Sequence, residues 1–374
     1  MNLHYEKLAH LLVEYSLAVK RDERVLIEAT EIPAGFLRVL IYAVERAGGI
    51  PLVLLKDLSV LRSLLLAGRR ETFELLGEAE LRLMQQVQGY VGLRGASNIS
   101  ELSDVPPEKM KLWEELVWKR VHLEQRVPHT KWVVLRWPLP SMAQQAQMST
   151  EAFEDFYFRV CTLDYARLSR AMLPLKERLE ATREVRLKAP GTDLRFSIEG
   201  IPAVLCDGHR NIPDGEVYTA PVRDSVEGTI RFNTPTIYQG VPHDNVRLTF
   251  RAGRIVEAES SNTEHLLQVL DTDAGARYVG EFAIGLNPLI TQPMRDILFD
   301  EKISGSIHLT PGNAYAEAFN GNRSAVHWDL VLMMDPEHGG GEIYFDGELV
   351  RKDGRFLPPE LEPLNPENLS AQSD

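Results

Sequence analysis

Cysteine is nearly absent from this chain: Cys161 and Cys206 are its only two in 374 residues, they stand far apart, and no CxxC pair occurs. That count excludes a cysteine-built metal cage and fits a reducing compartment. Long apolar runs are missing too. No stretch reaches the roughly 20 residues that a bilayer-spanning helix needs, so no membrane role is expected. The first residues, MNLHYEKLAHLLVEYSL, carry acids in a helical pattern instead of a basic start and an apolar core, and a cytoplasmic location is expected. Positive charge is in deficit, with 54 Asp and Glu against 41 Lys and Arg and a formal net charge of -13. No nucleic-acid partner is expected, because a phosphate backbone is met by clustered Lys and Arg. Phosphate-cradling loops are lacking as well. The turn after the first strand reads EATEIPAGF, with neither GxGxxG nor GK[ST].

The rest of the composition is that of a globular protein, 44% hydrophobic and 25% charged, in a chain long enough for two cores. Leu8, Leu11, Leu12, Tyr15 and Val19 recur at helical spacing. ERVLIEA, IPLVLLKD, GYVGLRG and KWVVLRWP read as buried strands, with helices over 34–47, closed by Gly48-Gly49, and over 108–123. Strand, helix, strand with short connections makes a parallel sheet with right-handed crossovers. The fold class expected is α/β: an N-terminal α/β domain with a parallel sheet, residues 1–182, followed by an α+β half, residues 183–374. Residues 149–181 read as one long helical stretch bridging the two. Beyond Arg183 the texture turns to β-runs and turns, and Asp346-Gly347 and Asp353-Gly354 between β-runs predict hairpins. The Pro-, Glu- and Ser-rich tail after Pro358 is expected to be loosely attached.

Chemistry concentrates between Glu281 and Asp329. VGEFAIGLNP carries Glu281, SGSIHLTPG carries His308, GNAYAEAF carries Tyr315, and SAVHWDLVLMM carries His327 and Asp329. The last run reads as a strand, whose alternation puts His327 and Asp329 on one face and Val326, Trp328 and Leu330 on the other. A buried imidazole and carboxylate on one face need a partner. Two short strands each presenting a histidine, with carboxylates close by, suit a zinc, cobalt or manganese ion. A structural histidine oriented by an aspartate reads the same way, so on these residues both readings stand. A second unusual passage, CDGHRNIPDGEVYTAP, is dense in Gly, Pro, Asp and Asn and reads as a shaped loop leading to Glu216. A surface turn with solvated acids fits it equally well. His209 there reads as a loop histidine, and Arg210 and Asn211 are candidates to orient Glu216 or to touch substrate.

RNIPDGEVYTAP, the Glu281 segment, DEKISGSIHLTPGNAY and SAVHWDLV together resemble the M29 family of metallopeptidases. EYSLAVKRDERVLIEA and MSTEAFEDFYFRVCTLDY are similar to it as well, so the likeness runs over nearly the whole chain. The resemblance implies metal ligands at Glu216, Glu281, His308, His327 and Asp329 and an active-site tyrosine at Tyr315. It implies an aminopeptidase with a catalytic, metal-binding domain over 183–374, two divalent ions (zinc, cobalt, manganese or magnesium), and peptides with a free N-terminus as substrates. A homodimer is implied too. Tyr315 would stabilise the oxyanion, while Glu281, if it does not bridge the ions, or Glu301 would move the proton. One departure is a short segment between Tyr315 and His327, which bears on the pocket wall. A dinuclear phosphoesterase would also use His and Asp ligands, but Asn320-Gly321-Asn322-Arg323 lacks the histidine of the GNHE-type turn such enzymes carry. A peptide- or metal-binding protein without turnover is the third expectation.

Overall fold

A computed structural model describes residues 2–370. The chain folds as two compact units, residues 1–163 with 208–213 and residues 164–207 with 214–374. In the first unit the strands Arg24–Thr30, Ile50–Lys56, Gly89–Arg94 and Lys131–Arg136 form a parallel sheet in the order 50–56, 24–30, 89–94, 131–136. Asn211–Ile212 pairs in parallel with Val134 and Leu135 as a fifth strand, which a reading of that passage as loop did not contain. Val25, Leu26 and Ile27 are buried, and the connections are the helices expected of βαβ units: Ala34–Arg46, Leu58–Ala67 with Arg70–Met84, and a helical run from Pro107 to His129.

The stretch over 149–181 is two helices, Thr150–Cys161 and Tyr165–Ala181, rather than one. Thr162 Oγ1 donates to the Phe158 carbonyl, and Asp164 accepts from the Arg167 N–H at 2.9 Å to start the second helix. A Thr-Leu-Asp cap thus interrupts a continuous apolar pattern. The first of these helices belongs to the first unit and the second to the second unit.

In the second unit an eight-stranded antiparallel sheet runs in the order 254–259, 247–251, 227–231, 192–197, 184–189, 342–345, 348–352, 355–356. Asp346-Gly347 and Asp353-Gly354, all at positive φ, make two of its tight turns as expected. A five-stranded sheet runs in the order Leu330–Met333, Ser306–Pro311, Val279–Gly285, Glu216–Thr219, Val204–Cys206, every pairing antiparallel. The tail departs from expectation. Pro359–Leu364 and Pro366–Ser370 are helical turns that bury Leu361, Leu364 and Leu369, and Asn365 exchanges two side-chain hydrogen bonds with the Phe356 backbone. Three leucines among polar residues anchor it; residues 371–374 lie outside the described residues. No described helix is long and apolar enough to cross a membrane.

Candidate metal centre

The five-stranded sheet builds the site by alternation and register. Glu281, Ala283 and Gly285 share one face of their strand, with Phe282 and Ile284 packed on the other. Ala283 lies opposite His308 and Glu281 opposite Thr310, while Gly285 lies opposite Glu216, which in turn lies opposite Cys206. Small residues thus stand beside the functional ones. Gly285 has a specific reason: a Cβ there would come within 2.4 Å of the Ile303 carbonyl and 3.1 Å of the Glu301 carbonyl. Its absence lets the turn 301–303 lie on the sheet and deliver Glu301 and Lys302 to Glu216.

The strand expected over His327 and Asp329 begins only after them. Only Leu330–Met333 pair as a strand; before them His327 keeps an isolated bridge to Gly312, and the Trp328 N–H donates to the Pro311 carbonyl at 3.2 Å. Alternation persists without the ladder. His327 Nε2 lies 3.3 Å from Asp329 Oδ1, while Trp328 is buried on the opposite side, stacked at 4.6 Å on Tyr238.

The structure brings the five residues into one constellation. His308 Nε2 is 3.1 Å from Glu281 Oε1, and His327 Nε2 is 3.6 Å from Glu281 Oε2. His308 Nδ1 is 3.7 Å from Glu216 Oε2. His327 Nδ1 donates to the Asn313 carbonyl at 2.9 Å, which turns Nε2 toward the carboxylates. Thr310 Oγ1 donates to Asp329 Oδ1 at 2.5 Å. Ligand atoms of Glu216, Glu281 and His308 lie within 4.8 Å of one another, as do those of Glu281, His327 and Asp329, so Glu281 belongs to both groups. Glu301, His308 and Asp329 form a third such group.

Electrostatics follow from this crowding. Burial works against charge on both imidazoles, but Glu216 and Glu281 outweigh it at His308, and Asp329 and Glu281 outweigh it at His327, raising each to about 10. Burial would also lift Asp329, yet His327, His308 and Thr310 hold it well below the usual carboxylate range. Burial raises Glu281, and it raises Glu301 to about 8 against the pull of Lys302. Protons on two histidines here offset an excess of carboxylate. Glu216 Oε2 and Glu281 Oε2 are buried with no hydrogen-bond partner, a cost the protein carries unless a cation meets them. This donor set fits divalent metal, which would displace those protons.

Tyr315 sits at the edge of the constellation, its residue 45% exposed and its ring 4.6 Å from that of His327 and 5.8 Å from that of Tyr218. Burial of its inner edge, then the carboxylates of Glu281 and Asp329, keep its phenol well above the ordinary value. Sequence reasoning did not single out Lys302, Asp214, Thr310 or Asn313. Lys302 is a side chain that grips Glu216, at 2.7 Å; Arg210 lies over the Trp132 ring and His209 against Tyr15. A lysine in an aperiodic turn gives no pattern from which to foresee this.

The profile of the family described as thermophilic metalloprotease (M29) matches residues 2–356. Aminopeptidase T of Thermus thermophilus is 27% identical over an alignment of 402 positions, covering 94% of this chain and 96% of the relative. Aminopeptidase AmpS of Bacillus subtilis is 32% identical over 193 residues, 46% of each chain. Among solved structures, wild-type AmpT from Thermus thermophilus superposes with a TM-score of 0.79 at 24% identity, over 95% of this chain and 99% of that one. The 2,5-dihydroxypyridine dioxygenase of Pseudomonas putida KT2440 superposes with a TM-score of 0.60 at 15% identity, over 96% and 98%. At these identities both likenesses speak to fold alone.

Proposed function

The chain belongs to the thermophilic metalloprotease (M29) family, and from that premise we propose that it is a metal-dependent aminopeptidase whose two-ion centre is held by Glu216, Glu281, His308, His327 and Asp329. The observation that carries the two-ion reading is the split of Glu281: one oxygen faces His308, the other His327, and the second has no hydrogen-bond partner. A carboxylate so divided is suited to bridging. Bound divalent ions, of which zinc, cobalt, manganese and magnesium are the candidates, supply Lewis acidity toward a carbonyl and make water acidic enough to give up a proton near neutral pH.

The chain's own residues do the rest. His327 and Asp329 hold one end of the centre, kept in aim by the Asn313 carbonyl and the Thr310 hydroxyl. Tyr315 donates from the rim to the oxyanion of the tetrahedral intermediate. Glu281 would hold both ions, which would leave Glu301, raised to about 8, as the group to hold and return a proton to the leaving amine. The free α-amine of a substrate would be a further donor to a bound ion, which favours substrates with an unblocked N-terminus. Peptides are therefore the proposed substrates. A cytoplasmic homodimer completes the proposal.

The test is hydrolysis of aminoacyl chromogenic substrates with each candidate ion. Activity is expected with a free α-amine, is abolished by a chelator, and returns with metal. Equal activity on N-acetylated substrate would overturn the aminopeptidase reading, and activity on phosphate esters alone would replace it.

A further inference from the structure

Lys302 is 1% exposed, yet it follows a short helix, Ile297–Asp300, in a turn where a lysine would ordinarily extend its ammonium to water. Its Nζ instead lies 2.5 Å from Glu301 Oε1, 2.7 Å from Glu216 Oε1 and 3.6 Å from Asp214 Oδ1. The turn is fixed from two sides. The Lys302 carbonyl accepts from the Asn287 N–H at 3.0 Å, and the Asn287 side chain donates to the Asp214 carbonyl at 2.8 Å. Gly285 leaves the space that the turn occupies.

The groups around the ammonium are themselves a ligand set. Cys206, Asp214 and Glu216 offer donor atoms within 4.8 Å of one another, and Glu301 adds another carboxylate beside Nζ. We propose, resting on the metal-centre reading above, that Lys302 is a built-in cation filling a further cation position of the centre, and that it limits how many metal ions the chain holds. Its ammonium takes one oxygen of Glu216 and leaves Oε2, the unpartnered one, for metal. It also keeps the Cys206 thiol, a soft ligand, out of a centre otherwise built of oxygen and imidazole. Charge agrees with this division. Two divalent ions together with Lys302 match the five carboxylates of Asp214, Glu216, Glu281, Glu301 and Asp329.

Cobalt is the probe, because a thiolate bound to it gives a charge-transfer band in the near ultraviolet. Metal equivalents per chain and absorption are measured for the wild type, Lys302→Ala and Lys302→Arg after loading and gel filtration. Lys302→Ala is expected to hold one more equivalent than the wild type and to gain the band, which Cys206→Ser in the same background removes. Lys302→Arg is expected to match the wild type. Unchanged equivalents in Lys302→Ala, or loss of metal from it, overturn the proposal. If Lys302→Ala does not fold, the wild type decides: a Cys206-dependent band at excess cobalt overturns the placeholder, and its absence supports it. A wild type that binds no metal at all fails the metal-centre reading instead.

Discussion

Each unit contains a buried cluster in which a histidine and two acids lie within ligand distance of one another, and the two clusters are opposite in character. In the first unit the group is Glu28, Glu80 and His122. Lys56 stands between the acids, 3.2 Å from Glu28 and 3.0 Å from Glu80. Arg126, lodged over the Trp132 and Tyr90 rings, donates from Nε to His122 Nδ1 at 3.2 Å. Burial, with Arg126 and Lys56 adding to it against Glu28, pushes His122 down to about 4, so this imidazole is neutral. In the second unit Lys302 plays the part of Lys56, but carboxylates remain in surplus and drive His308 and His327 up to about 10. Three potential ligands in one place therefore do not by themselves mark a metal centre. What separates the clusters is whether the protein's own cations already balance the acids.

The sharpest way to break this comparison is to remove one member from each side. His327→Ala or Asp329→Ala is expected to lose metal and activity together, to below detection. Glu28→Gln and His122→Gln are expected to keep wild-type metal content and kcat. Metal analysis beside kinetics checks both, and metal lost from His122→Gln would mean the first cluster had been misread. A smaller effect is expected at Tyr315→Phe, which removes one hydroxyl from the rim. Metal should stay bound, KM should move little, and kcat should fall by about a hundred- to a thousand-fold, the cost of one oxyanion donor. A Phe variant with wild-type kcat would take Tyr315 out of the mechanism and leave the metal centre untouched.

The parts of this molecule visible in sequence are those with a period. Four apolar runs of about strand length, separated by helical patterns, are enough to expect the parallel sheet. His327 and Asp329 face the same way because alternation by two outlasts the ladder itself. Glu216 and Glu281 are different: their segments stand out, but nothing in them distinguishes a ligand from a solvated acid, and only likeness to a family implies the ligand role. Lys302 and Asp214 lie in turns with no period, and their meeting depends on the missing Cβ of Gly285, a close approach that only three-dimensional packing expresses. The cap at Asp164 is legible in type but is masked by apolar residues on both sides of it. The dioxygenase that shares the fold adds a limit of another kind, since architecture alone would not have selected the chemistry.

The last prediction concerns stability and uses the first cluster alone. His122 titrates near 4 in the folded chain against an ordinary value of 6.5. Between those two values the unfolded chain binds a proton that the folded chain refuses, so stability rises with pH across the window. The contribution is fully present above about pH 6.5, is lost as pH falls toward 4, and changes no further below that. A displacement of this size is worth about 3 kcal/mol at most, from roughly 1.4 kcal/mol per pKa unit. Many carboxylates titrate in the lower part of the same range, so the wild type alone does not isolate it. His122→Gln does, because an amide carbonyl can still accept from Arg126 Nε but cannot take up a proton. Urea unfolding of both proteins, without metal, at intervals from pH 4 to 8 should show the wild type losing stability on acidification more steeply than the variant. The two curves should run parallel above pH 7. Parallel curves throughout would mean that His122 titrates normally, and the contrast between a neutral, self-balanced cluster and a cation-seeking one would lose its first half.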